Sequence, residues 1–82
     1  IQIYPNPAFN SLTINATNLM EQTGTKGTEY SIIDKLGREV KNGMINDFPY
    51  TVLIENLNEG LYVIILQNDR INEKRKFVKQ TQ

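Results

Sequence analysis

The strongest constraint on the fold is punctuation. Short runs of alternating apolar and polar residues are broken by turn residues at intervals of about 8–12 residues, the spacing of strands in a β-sandwich. Nowhere do apolar residues recur at three- and four-residue steps over a long window, and β-branched residues are spread along the whole chain. That pattern predicts strands and excludes helix as a main element.

Seven strands are predicted: Ile1–Tyr4, Ser11–Ala16, Glu29–Ile33, Arg38–Ile45, Tyr50–Ile54, Leu61–Gln67 and Arg70–Lys79. Pro5-Asn6-Pro7 ends the first, because proline has no backbone donor and a sheet cannot run through it except at an edge. In the second, Leu12, Ile14 and Ala16 share one face. Residues 20–27 are polar and glycine-containing and read as a flexible loop. Asp34-Lys35-Leu36-Gly37 fits a type I turn joining the third and fourth strands as a hairpin. Leu61–Gln67 is apolar on both faces, as a central strand is. The fold class is therefore all-β, a seven-stranded antiparallel immunoglobulin-like β-sandwich, with a small open barrel as the alternative. Alternation predicts a core of Ile3, Leu12, Ile14, Ile32, Val40, Val52, Ile54, Tyr62, Ile64, Leu66 and Phe77. Gly37 and Gly60 follow polar turn residues and are expected at positive φ, which is cheap only for glycine.

At 82 residues the chain is one domain (1–82), too small for a deep enclosed cavity. Nine basic and nine acidic residues cancel, so the positive excess that drives nucleic-acid binding is missing. With no cysteine and no histidine there is no disulfide, no thiolate zinc site and no side chain poised near neutral pH. The longest apolar run, Leu61–Leu66, is far short of the ~18–20 residues that span a bilayer as a helix. A start at Ile1 in strand-forming residues is read as a fragment of a longer secreted precursor.

Chemistry is sparse. The acidic residues Asp34, Asp47, Glu55, Glu59, Asp69 and Glu73 stand singly at turns and strand ends, and no phosphate-binding or nucleophile motif occurs. Asn6, Asn10, Asp34, Asn46 and Asp47 offer oxygen ligands for calcium but follow no alternating pattern, and Asn and Asp are the ordinary turn residues. The chain is read as no enzyme, with no catalytic, cofactor-binding or metal residues. Two features are more specific. Leu57-Asn58-Glu59-Gly60-Leu61-Tyr62 has the form of a tyrosine corner, in which a hydroxyl bonds backbone a few residues upstream and fixes a sheet crossover. Lys76-Phe77-Val78-Lys79 closes a basic edge strand. Its charges discourage unwanted pairing, and they also offer a recognition strand: an apolar pair to anchor in a groove and an exposed terminal cation for an acidic pocket.

Four pieces in order resemble the type A C-terminal sorting domain of the type IX (Por) secretion system of Bacteroidetes. They are Tyr4-Pro5-Asn6-Pro7, the hairpin Asp34-x-x-Gly37-Arg38-Glu39-Val40, Leu57-x-x-Gly60-x-Tyr62-Val63, and Lys76-Phe77-Val78-Lys79. The resemblance spans nearly the whole chain; it departs in the loop from Glu21 to Gly27 and in the tail Gln80-Thr81-Gln82. It implies a non-catalytic sorting signal at the end of a cargo protein. Such a signal is recognised in the periplasm by the translocon, then handled by an outer-membrane shuttle protein and a cell-surface sortase, so that the cargo ends at the cell surface or secreted. Lys76, Phe77, Val78 and Lys79 are the expected partner-recognition residues; Tyr4, Pro5, Asn6, Pro7, Asp34, Gly37, Arg38, Gly60 and Tyr62 are expected to be mainly structural. Open sheet edges also allow an edge-strand dimer. The competing reading is a carbohydrate-binding or adhesive module of a surface enzyme, using Phe9, Phe48 and Tyr50, the aromatics nearest loops.

Overall fold

A computed structural model describes residues 1–16, 27–69 and 71–81. Among these residues there is no helix. The strands are β1 (Gln2–Tyr4), β2 (Ser11–Asn15), β3 (Thr28–Asp34), β4 (Glu39–Ile45), β5 (Tyr50–Leu53), β6 (Gly60–Gln67) and β7 (Asn72–Lys79). They form two sheets, one of three strands in the order β1-β2-β5 and one of four in the order β4-β3-β6-β7. Every ladder is antiparallel. This is the expected immunoglobulin-like sandwich, and two separate sheets replace the open barrel. The expected loop at 20–27 falls, except for Gly27, outside the described residues, as does Arg70.

Alternation fills the space between the sheets. Leu12, Ile14, Val52 and Ile54 come from the smaller sheet and its end; Tyr30, Ile32, Tyr62, Ile64, Leu66 and Phe77 come from the larger, and all are buried. Each such side chain contributes about 1.5–3 kcal/mol on leaving water. Two expected core members differ. Ile3 lies opposite Ile14 and packs against the core, but its strand is a sheet edge and it remains half-buried. Val40 is 39% exposed.

The Val40 difference is one of phase. The fourth strand offers two sets of alternating residues, Val40/Asn42/Met44 and Lys41/Gly43/Ile45. Ile45, Gly43 and Lys41 pair with Thr28, Tyr30 and Ile32, the inward residues of β3. The Tyr30 ring fills the space at Gly43, where an added Cβ would lie 2.7 Å from its Cε1. The aromatic on β3 supplies the bulk that β4 lacks, and Val40 turns outward. The register then shifts between Ile32 and Ile33, so that Glu39 rather than Val40 lies opposite Ile33.

The segment between β1 and β2 changes sheets. Pro5 and Pro7 cannot donate to a ladder, and after them Ala8 makes a parallel bridge to Lys79 at the end of β7. The Ala8 N–H donates to the Val78 carbonyl at 2.8 Å, and the Gln80 N–H donates to the Ala8 carbonyl at 2.8 Å. Ala8 is fully buried, a position that sequence alternation did not mark.

Candidate functional site

The four sequence pieces that carry the resemblance lie at one end of the sandwich. Ladder register requires it: Asp34 at the end of β3 lies opposite Tyr62, and Gly60 at the start of β6 lies opposite Lys79 at the end of β7. Ala8, just past Pro7, bridges the same Lys79.

Each piece is built by local chemistry. In the β3–β4 turn, the Gly37 N–H donates to the Asp34 carbonyl at 3.0 Å, and Gly37 has φ +82°, as expected. The Asp34 carboxylate closes the turn. Its Oδ1 accepts from the Leu36 and Arg38 N–H groups at 2.9 and 3.0 Å, and its Oδ2 accepts from Arg38 Nε at 2.9 Å. These donors, the Arg38 N–H foremost, hold the carboxyl below the usual aspartate range. An Asp in this place is thereby a turn-closing residue, with its acceptor capacity spent inside the loop.

At the third piece, the Tyr62 hydroxyl donates to the Asn58 carbonyl at 2.7 Å, which is the tyrosine corner. Its ring stacks on Phe77, the centroids 5.6 Å apart and the planes at 21°. Gly60 has φ +152°, again on the glycine side of backbone space. The neighbouring Glu59 accepts from the Thr81 hydroxyl and, at 3.3 Å, from the Thr81 N–H. The Thr81 hydroxyl is the main cause of a lowered Glu59 pKa, with the charge of Lys79 adding. The tail that departs from the family pattern is therefore tied down at Gln80 and Thr81. Sequence reasoning gave no signal for this, because the Glu59–Thr81 contact joins residues 22 apart.

The first and last pieces brace one another. Asn6 Oδ1 accepts from the Val78 N–H at 3.0 Å, beside the Ala8 bridge. The closing strand thus departs from the sequence expectation. Its last residues are not an open edge, because the Asn6–Ala8 segment covers them. Phe77 is buried in the core, and Lys79 is only 2% exposed. The expected exposed terminal cation is an interior one, because Lys79 shares the core-facing phase of Phe77 and Ala8 closes the strand edge beside it. Of the four, Lys76 and Val78 face solvent.

This end has little chemistry beyond binding. No group of three or more Asp, Glu, His or Cys able to hold a metal ion occurs among the described residues. Asp34 and Glu59 each spend their carboxylate on a nearby donor. A groove of about 400 Å³ runs between the β3–β4 turn and the β5–β6 connection, lined by Leu36, Val40, Leu57 and Leu61 among others. Its walls also carry Asp34, Lys35, Arg38, Asn56, Asn58 and Glu59, of which Asp34 is bound by Arg38 and Glu59 by Thr81. Among the described residues no flat aromatic platform for sugar is formed either. Tyr30, Tyr62 and Phe77 are buried, Phe48 and Tyr50 pack against the core, Phe9 is half-buried, and Tyr4 is exposed.

Comparison with known proteins agrees with this arrangement. A family described as "Secretion system C-terminal sorting domain" matches residues 2–80. Among curated proteins, none matches the chain in sequence. A solved structure shares the fold with a TM-score of 0.69 at 16% identity over 96% of this chain. It is PorZ of Porphyromonas gingivalis, reported as an essential bacterial surface component of the type-IX secretion system. This chain spans 11% of the PorZ chain. With four ordered motifs gathered at one braced end and a family match across nearly every residue, the chain belongs to the secretion-system C-terminal sorting domain family.

Proposed function

We propose that this domain is a folded, non-catalytic address label. It rides at the C-terminal end of a cargo protein through the periplasm. The type IX translocon recognises it, and an outer-membrane shuttle protein and a cell-surface sortase then handle it. The observation that carries the reading is the family match over residues 2–80. The geometry adds a reason for a folded signal rather than a linear one. Motif residues separated by up to 75 positions, Tyr4 and Lys79, come to one end only when both sheets have formed. A partner that reads this end reads completed folding as well.

Within the closing strand, Lys76 and Val78 are the accessible recognition residues, and Phe77 and Lys79 act by holding that end in shape. The decisive experiment fuses the chain to the C-terminus of a periplasm-directed reporter in a host with an intact type IX system. The reporter is expected at the cell surface or in the medium, and in the periplasm when the translocon is deleted. Retention of the parent fusion in the periplasm of the intact host overturns the reading.

A further inference from the structure

The outer face of the larger sheet carries an apolar row, half-buried at Ile33, Val63 and Ile65 and exposed at Leu61 and Val78 among the described residues. Residues opposite one another in a ladder share a face. Ile33 lies opposite Val63, Val63 opposite Lys76, Ile65 opposite Lys74, and Leu61 opposite Val78. These are the residues out of phase with the buried Ile32, Ile64 and Phe77, so they point away from the core. Val40, turned outward by the β4 register, joins them at 39% exposure beside Leu61 at 45% and Val78 at 37%. A solvated sheet face ordinarily alternates to polar residues. Here β6 instead presents Leu61, Val63 and Ile65 in succession on its outer side.

The charges around this row are of one kind along β7. Lys74 and Lys76 sit directly across from Ile65 and Val63, and neither has a carboxylate partner among the described residues. Of the nearby carboxylates, Glu73 and Asp34 are ion-paired with Arg75 and Arg38; Glu59 and Glu39 accept from the neutral Thr81 and Asn42 and keep their charge, Glu39 standing opposite Ile33 on the far border of the row from β7. Glu29 lies on the same face but at its far end, opposite Gln67. The face therefore offers an apolar strip with two ammonium groups of unpaired charge along its β7 border.

We infer that this outer face, centred on Leu61, Val63 and Val78, is the docking surface of the domain, and that its occupant is a protein surface presenting apolar side chains bordered by carboxylates. The inference rests on the sorting reading and names the surface through which it works. Charge complementarity at Lys74 and Lys76 sets orientation and encounter, and the apolar strip supplies most of the binding. The same face includes Lys76 and Val78, the accessible part of the closing motif, so motif and surface are continuous.

The test uses the fusion described above with three sets of changes, each checked by thermal unfolding of the 82-residue chain. The double charge reversal K74E/K76E is expected to lower the exported fraction at least about tenfold, as like charges across an interface do, with a melting temperature close to that of the parent. The pair K74R/K76R, which keeps the charge, is expected to export normally. L61S tests the apolar strip and is expected to lose export similarly; L53S alters a still more exposed leucine on the smaller sheet and is expected to export like the parent. Should K74E/K76E fold poorly, K74Q/K76Q is read in its place. If the parent is exported and the folded charge variants leave within twofold of it, the surface assignment is overturned while the sorting reading stands. If the 82-residue chain sediments as a dimer that L61S dissociates, the occupant is a second copy and the partner assignment falls.

Discussion

Between Asn72 and Lys76, β7 behaves as the outer edge of a sheet: it is charged and largely exposed, with Glu73 and Arg75 paired at 2.6 Å. From Phe77 to Lys79 the same strand is boxed in, by β6 on one side and by the Asn6–Ala8 crossing on the other. Both halves carry lysines and both alternate. What separates them is a segment some seventy residues earlier in the chain, which leaves one sheet after two prolines and closes the edge of the other. The contrast teaches that a charged terminal strand is not by itself an accessible one. A lysine in a short motif can be interior when it falls on the core-facing phase of a strand whose edge is also closed.

Stability measurements on single variants can break or sharpen this contrast. The largest effect is expected for Phe77→Ala, which removes a ring stacked on Tyr62 in the core; calorimetry should show a loss of about 3–5 kcal/mol. Lys79→Glu comes next. It sets a second carboxylate near Glu59 at a site 2% exposed, and a loss of about 3 kcal/mol is expected from an uncompensated buried charge. A denaturation midpoint unchanged in Lys79→Glu would show that the closing lysine reaches solvent after all.

Gly60→Val probes the residue opposite Lys79. Nothing lies within 4 Å of the added Cβ, so its expected cost arises from backbone conformation alone. About 1–3 kcal/mol is expected, the range for residues held in sparsely populated backbone regions. A Gly60→Ala variant that loses nothing would refute the strain at φ +152°. Tyr62→Phe keeps the ring and drops the hydroxyl that donates to Asn58. A loss of about 1 kcal/mol, read as a fall of about 4–8 °C in Tm, is expected. The smallest effect belongs to Lys76→Glu on the exposed half of the strand. A change within about 0.5 kcal/mol is expected there; a cost matching that of Lys79→Glu would erase the difference between the two halves.

Much was legible from residue order. The spacing of turn signals, the alternation through Leu12–Ile14 and Val52–Ile54, and the all-apolar Leu61–Leu66 run determine strands, their approximate bounds and a two-layer core. Turn chemistry is equally local. Asp34 and Gly37 close their loop through bonds within five residues, and the Tyr62 hydroxyl reaches back only four. Local bonds of this kind leave a mark in local sequence, so the hairpin and the tyrosine corner could be named before any fold was known.

Tertiary structure decided what depends on partners distant in sequence. Which phase of β4 faces inward was set by the Tyr30 ring occupying the room at Gly43, not by the hydrophobicity of Val40. Ala8 is buried because a sheet-switching segment brings it against β7, and no alternation records that. Lys79 is interior and Lys76 is not, although the motif treats them as a matched pair. In each case the residue type permits two environments at similar local cost. Only the ladder register and the crossing of the first segment, fixed by contacts made across the whole chain, choose between them.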